Sequence, residues 1–359
     1  MSATIPHIRL VDVLHVGRQQ NASDIHFVPG LCPALRVDGE LQFLTGSPLS
    51  AEDTTEIARA LLEPKALAHL EAGQDVSAAK VTDDRLVLRI HAFRGSQGCT
   101  LALRLLNKRI PTLESLHLPP VVATLAHRDR GLVIFAGPTG SGKSTSLAAL
   151  VAEINAASAR RIITIEDPIE YRYESLRSLI TQREVGRDAP SFSTALLGTL
   201  RADPDVIMLG EMRDSGTMRA ALTAAETGHL VFTTLHTGSA VQTIERIIDA
   251  FGGAEQSQVR SQLAQSLTAV VSQRLIPRKH GPGRRAAVEV LLVNDAVRAM
   301  IRESKTHLIR NAMTTGRQLG MQTLEHHLSE LVQSSEIDRD AARRVSERFE
   351  DVATDRQVG

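Results

Sequence analysis

The residues Gly137-Pro138-Thr139-Gly140-Ser141-Gly142-Lys143-Ser144 fit the spacing GxxxxGK[ST], with Thr145 immediately after. That spacing marks a loop that holds nucleotide phosphates. Glycines let the loop close tightly, so that successive backbone N–H groups face the phosphates, and a helix starting behind it adds its positive N-terminal dipole. Lys143 brings a point charge to the β- and γ-phosphates, the Ser144 hydroxyl offers a ligand to Mg²⁺, and Thr145 opens the helix. The context agrees: the strand-like run Leu132 to Ala136 precedes the loop and the helix-like stretch STSLAALVAEI follows it. Residues 137–145 are the candidate ATP site, with Mg²⁺ as its companion.

The apolar run Val206 to Leu209 ends in Gly210-Glu211, which delivers a carboxylate to the C-terminal edge of a sheet, where α/β proteins bind ligands. Glu211 is the candidate Walker B acid and, with Ser144, the candidate Mg²⁺ site, in part through water. A standard Walker B sequence places Asp directly before this acid, and Gly210 stands there instead. The missing chemistry is expected from Glu166, Asp167 and Glu170, an acidic cluster just past another apolar run, whose carboxylates could orient or deprotonate water. A single such acid is more often a solvated loop charge or helix cap; joint placement at strand ends is what favours catalysis. His229 and His236 bracket the run Leu230 to Leu235, which is long enough to cross the sheet. His236 then shares the nucleotide edge, where it could sense or stabilise the γ-phosphate, and His229 lies at the opposite end. Spacing alone fits two ordinary edge histidines equally well. Motors that hydrolyse ATP often complete the site with an arginine from a neighbouring subunit. Arg89, Arg94 and Arg104 are candidates, although each taken singly reads more simply as a surface salt-bridge residue.

These groups need a scaffold of alternating strands and helices. Apolar runs at Leu132 to Ala136, Ile162 to Ile165, Val206 to Leu209 and Leu230 to Leu235 alternate with helical stretches, the pattern of a largely parallel sheet covered by helices. This predicts an α/β nucleotide-binding core over residues 121–290. Ahead of it, residues 1–110 read as a small α+β domain. It has an opening helix over 6–20, strands at Ile25 to Val28 and Ala34 to Val37, a turn at Asp38-Gly39 and a helical region from Ala51 to Leu70. Strands at 85–93 and 100–106 then form a hairpin. Pro111, Pro119 and Pro120 make 111–120 the expected linker, and residues 291–359 read as a helical cap.

Composition narrows the function classes. The 359 residues suggest two domains, and 42% apolar residues indicate a chain that folds. Basic and acidic residues balance at 41 each, and aromatics make up 3% with no Trp, so nucleic acid is not an expected partner. Cys32 and Cys99 are too few for a disulfide framework or a four-cysteine zinc site, which fits a reducing cytoplasm. The N-terminus has no signal-peptide core, and no apolar run is long enough to span a bilayer, so any membrane association is expected to be peripheral.

Together the motifs resemble the PilT family, the twitching-motility retraction ATPases within the type II and type IV secretion ATPase superfamily. The resemblance is carried by ASDIHF (Ala22 to Phe27), the phosphate loop, TIEDPIEY (Thr164 to Tyr171), LRADPDVIMLGEMRD (Leu200 to Asp214) and TGHLVFTTLHT (Thr227 to Thr237). It continues through IERIIDAF, QRLIPR (Gln273 to Arg278) and GMQTLEHHL (Gly320 to Leu328). It implies a PAS-like N-terminal domain, a RecA-like ATPase domain and a homohexameric ring at the cytoplasmic face of the inner membrane, partnered by a pilus platform protein. On matching positions it makes Glu170 the water-activating base, Glu211 the Walker B glutamate and His229 with His236 the histidine-box pair. Arg89 and Arg104 align with the family's trans-acting arginines. The related assembly ATPases carry a four-cysteine insertion soon after the QRL segment, and none is present here. The late retraction motif AIRNLIRE stands as Ala296 to Glu303, with Ala299 in place of its asparagine. The competing readings are an ATPase of a secretion, conjugation or competence-pilus system, and a weakly hydrolysing accessory ring that regulates a paralogous motor.

Overall fold

The structure is a computed structural model that describes residues 10–82, 86–106, 110–346 and 349. It divides into two compact units, Met1–Arg109 and Ile110–Gly359.

The first unit holds α1 (Leu10–Gln19), β1 (Asp24–Phe27), β2 (Ala34–Val37), β3 (Glu40–Phe43), α2 (Ala51–Leu61), α3 (Pro64–Glu71), β4 (Val76–Val81), β5 (Val87–Gly95) and β6 (Gly98–Leu106). The strands form one sheet in the order β3-β2-β1-β6-β5-β4, antiparallel throughout. Asp38 and Gly39 turn β2 into β3 with φ of 50° and 94°, the pair of positive angles that matches the twist of a tight hairpin. The helical region expected from Ala51 to Leu70 is two helices. Pro64 has no N–H to continue a helix and instead occupies the first turn of α3, while Leu62 and Glu63 are extended. Ser50 and Asp53 close α2 with a reciprocal capping box. Ile25, Phe27, Leu35, Ile57, Leu88, Ile90, Leu101 and Leu103 are fully buried between the helices and one sheet face. The opening helix begins at Leu10, and residues 6–9 of the expected span lie outside the described residues.

The second unit opens with α4 (Leu113–Leu116) and α5 (Pro120–Thr124), followed by β7 (Gly131–Ala136), α6 (Lys143–Ala157), β8 (Arg161–Glu166), β9 (Leu179–Glu184), α7 (Phe192–Thr199), β10 (Val206–Leu209), α8 (Ser215–Glu226), β11 (Leu230–Leu235), α9 (Ala240–Asp249), α10 (Gly253–Ser266), β12 (Leu267–Pro277) and β13 (Arg284–Leu292). Helices α11 (Asp295–Arg302), α12 (Ile309–Thr315), α13 (Leu324–Gln333) and α14 (Arg339–Val345) close it. The sheet order is β13-β12-β7-β11-β10-β8-β9, parallel except for β13, which runs antiparallel to β12. Every residue of β7, β10 and β11 is buried, as expected of parallel strands covered on both faces. Two expectations are corrected. The stretch taken as a bare linker carries α4, whose Leu113 packs into this unit's core because Thr112 caps a short helix ahead of the next prolines. The helical C-terminal region starts only at Asp295, since β13 extends to Leu292. Among the described residues, no helix is long and apolar enough to cross a membrane.

Candidate active site

Strand β7 ends at Ala136 and α6 begins at Lys143, so residues 137–142 form the loop between them. Gly137, Gly140 and Gly142 take φ of 144°, 77° and 87°, a region that L side chains rarely enter. A Cβ at Gly137 would lie 2.4 Å from the Gln273 carbonyl oxygen, and one at Gly142 would lie 2.7 Å from Gln273 Nε2. Glycine is therefore required on two counts: the backbone angle and the close passage of β12. Gly142→Ala is expected to destabilise the unit by about 1–2 kcal/mol from backbone strain, read as a lower urea midpoint. An unchanged midpoint would show that the loop relaxes freely.

The Lys143 side chain is 7% exposed and donates from Nζ to the carbonyl oxygens of Gly137 (2.7 Å) and Pro138 (2.9 Å). Burial lowers its pKa below the ordinary lysine value; Glu211 raises it, Arg274 lowers it and Glu170 raises it. The two acids singled out by sequence therefore both act on the loop lysine. Close by, the buried Ser141 hydroxyl has no hydrogen-bond partner among the described residues. A buried orphan donor in a glycine loop beside a lysine is the arrangement a phosphate oxygen would satisfy. Ser144 is exposed in the first turn of α6, free to meet a metal ion. Thr145, also in the first turn of α6, is 2.9 Å from the Tyr171 hydroxyl and ties that helix to the turn after β8.

Because β11, β10 and β8 follow β7 in the sheet, all parallel to it, their C-terminal ends fall in a row beside the loop. Strand β11 delivers His236 and β10 delivers Glu211, whose Oε2 is 3.4 Å from His236 Nε2. The other Glu211 oxygen is paired with Arg213, whose guanidinium also lies 3.7 Å from Asp167. Gly210 donates its N–H to Ile165 O (2.8 Å), and a Cβ there would touch Ile165, Glu166 and Phe192 at 3.4–3.5 Å.

Strand β8 supplies the remaining acids. Glu166 is buried and accepts from Thr164 Oγ1 (2.6 Å), Gln182 Nε2 (3.1 Å) and the Glu170 N–H (3.4 Å). Burial raises its pKa, against the pull of these donors. Its geometry shapes the turn that presents the half-buried Glu170. His229 is not brought to this edge. It lies before β11 at the opposite end, with Nδ1 2.8 Å from Ala224 O and 3.2 Å from Thr227 Oγ1.

The arginine candidates belong to the first unit. Asp24, Arg104 and Arg89 stand in register on β1, β6 and β5, and Arg104 Nε binds Asp24 Oδ1 at 3.0 Å. Like charges directly opposite one another repel, so Asp24 offsets the Arg104–Arg89 pair. Arg94 is exposed near the end of β5.

Strand β12 adds site residues at the start of the QRLIPR segment. Gln273 accepts from Ser146 Oγ at 2.9 Å and packs on the loop glycines. Arg274 and Ser272 each donate to Gly238 O at 3.0 Å, gripping the turn that follows His236. The available signal was the polar run Ser272-Gln273-Arg274 inside a mostly apolar strand.

Comparison with known proteins places this arrangement. The family model for Type II/IV secretion system protein matches residues 6–348. The type IV pilus retraction ATPase PilT of Pseudomonas aeruginosa is 42% identical over 334 residues, which cover 93% of this chain and 97% of that protein. A twitching motility protein of Neisseria gonorrhoeae is 39% identical over 344 residues, 96% of this chain and 92% of its own length. The crystal structure of the pilus retraction motor PilT with bound ADP is similar at a TM-score of 0.84 and 39% identity, over 94% of this chain and 97% of that one. With a phosphate loop, a paired acid and histidine, and an acidic turn gathered at one sheet edge, the chain belongs to the Type II/IV secretion system protein family and is an ATPase of it.

Proposed function

We propose that this ATPase powers the retraction of a type IV pilus, removing pilin subunits at the pilus base as a homohexameric ring. The observation that carries this reading is the near full-length similarity to a retraction ATPase and to a twitching motility protein, in a chain with the phosphate loop and both acids in place. The ring works peripherally at the cytoplasmic face of the inner membrane, against a pilus platform protein.

In this reading, residues 137–145 hold the triphosphate and Lys143 neutralises its β- and γ-oxygens. Ser144 and Glu211, the latter in part through water, hold Mg²⁺, which when bound supplies further charge neutralisation at the phosphates. Glu170 takes the proton of the attacking water, and Glu166 keeps its turn in place. His236, 3.4 Å from Glu211, stands where it can report the presence of a γ-phosphate. His229 serves the ring from the far end of β11, and Arg89 and Arg104 complete a neighbouring subunit's site.

Cells lacking the gene, complemented with wild type or Lys143→Ala, test this directly. Excess surface pili with lost twitching, rescued by wild type alone, is the expected result. Absent pili would point to assembly or secretion, and unchanged pili and motility would refute a principal retraction role.

A further inference from the structure

One carboxylate deep in the second unit has no part in the chemistry assigned so far. Glu289 lies mid-strand on β13, 6% exposed, directly across from Ser272 of β12. Its Oε1 accepts the backbone N–H of Ala240 at 2.6 Å, and Ala240 is the first residue of α9. The turn between His236 and that helix is thus gripped from three positions on the paired strands. Ser272 and Arg274 hold the Gly238 carbonyl, and Glu289 holds the Ala240 N–H. Within the turn, Gly238 N donates to Gln242 Oε1 at 2.9 Å and Ser239 caps α9 through the Gln242 N–H. An acceptor there satisfies one of the N–H groups that the first turn of a helix leaves unpaired.

The other side of Glu289 faces the C-terminal helices. Burial raises its pKa, an effect that Glu325 strengthens and that Arg310 and Arg274 oppose, so all three charges lie within its field. Arg310 of α12 binds Glu325 of α13 at 2.9 Å, and the opposite Glu325 oxygen accepts from Ser346 at 2.8 Å. Strand β13 is itself laced to the start of α13: Val288 N donates to His327 Nδ1 at 3.0 Å and Gln322 Nε2 donates to Val288 O at 3.0 Å.

We propose that Glu289 is a positioning residue for ATP hydrolysis: through Ala240 it fixes the turn that places His236 beside Glu211, and through its own strand, where Val288 bonds His327 and Gln322, it ties that turn to the C-terminal helices. The placement of His236 then depends on how those helices are packed, so that a load on the C-terminal region reaches the γ-phosphate side of the site without touching the phosphate loop.

Steady-state ATP hydrolysis by the full chain tests this, and it rests on the chain being an active ATPase, which the wild-type assay establishes on its own. Glu289→Ala is expected to lower kcat about tenfold, the scale of a catalytic group held slightly off its geometry, with KM for ATP within about twofold. Glu289→Gln keeps an oxygen for the Ala240 N–H and is expected to recover most of kcat. If the alanine variant does not fold, Glu289→Asp keeps the charge but falls one carbon short of Ala240 N, and the same loss of kcat is expected. Wild-type kcat in the alanine or aspartate variant would overturn the proposal. So would a glutamine variant as slow as alanine, or a loss expressed in KM with kcat unchanged. A wild-type chain that does not hydrolyse ATP would overturn the ATPase reading together with this inference.

Discussion

Replacing Lys143 with alanine is expected to lower ATP turnover at least a hundredfold, because on the proposed reading it removes the point charge that neutralises the β- and γ-phosphates. The same variant keeps its fold. Burial depresses the lysine's pKa, so the folded state binds this proton less tightly than the unfolded chain does. A basic group with a depressed folded pKa costs stability at every pH below that pKa, and the cost disappears only as pH rises past the unfolded value. At neutral pH the alanine variant is relieved of that cost while losing two hydrogen bonds to the carbonyls of Gly137 and Pro138. Its melting temperature is therefore expected to match or exceed that of wild type. Turnover near wild type would sink the site assignment, and a large drop in melting temperature would mean that the lost activity reports unfolding instead of lost phosphate contact.

What the sequence made legible follows from where each signal is stored. The bounds of β10 and β11 coincide with the runs Val206 to Leu209 and Leu230 to Leu235, because a strand covered on both faces reads as a near-continuous run of apolar and β-branched residues, here with only Thr233 and Thr234 polar. Strand β9 reads LITQRE and was missed. It is the sheet edge, and its Gln182 earns its place by donating to Glu166 and to Tyr171 O. Strand β3, ELQF, alternates polar and apolar residues over only four positions, too short a run to stand out, and all four are exposed. The break between α2 and α3 was written in Pro64 and overlooked, since the flanking apolar residues keep helical spacing on both sides.

The site divides in the same way. The phosphate loop and the acidic turn are legible because their parts are consecutive, so that local geometry dictates their spacing. The length of β11 was enough to separate His236 from His229. Gln273 could not be found by spacing, because it meets Ser146 across 127 residues and only after β12 is laid beside β7. Arg274 and Glu289 belong to the same class: their meaning comes from strand pairing, not from neighbours in the chain.

Glu211→Gln separates binding from turnover at this edge. Glutamine has the same shape and keeps an acceptor oxygen, so the packing around Gly210 and Phe192 is undisturbed. The charge is what disappears. In the wild type that charge is shared between Arg213, which also lies 3.7 Å from Asp167, and His236 at 3.4 Å, and it raises the pKa of Lys143. Without it, a negative group is removed from the neighbourhood of the incoming phosphates, and ATP binding measured without Mg²⁺ is expected to be at least as tight as in wild type. Hydrolysis with Mg²⁺ is expected to fall by about a hundred- to a thousandfold, since the carboxylate proposed to orient the metal and its water has become neutral. Equilibrium binding of a fluorescent ATP analogue, set beside single-turnover hydrolysis, reads the two effects separately. Lys143→Ala must weaken both, whereas Glu211→Gln must weaken only the second. If Glu211→Gln turns over at the wild-type rate, the metal and water chemistry belongs to Glu166, Asp167 and Glu170 alone. If it loses affinity as Lys143→Ala does, Glu211 serves the phosphate loop and not the reaction.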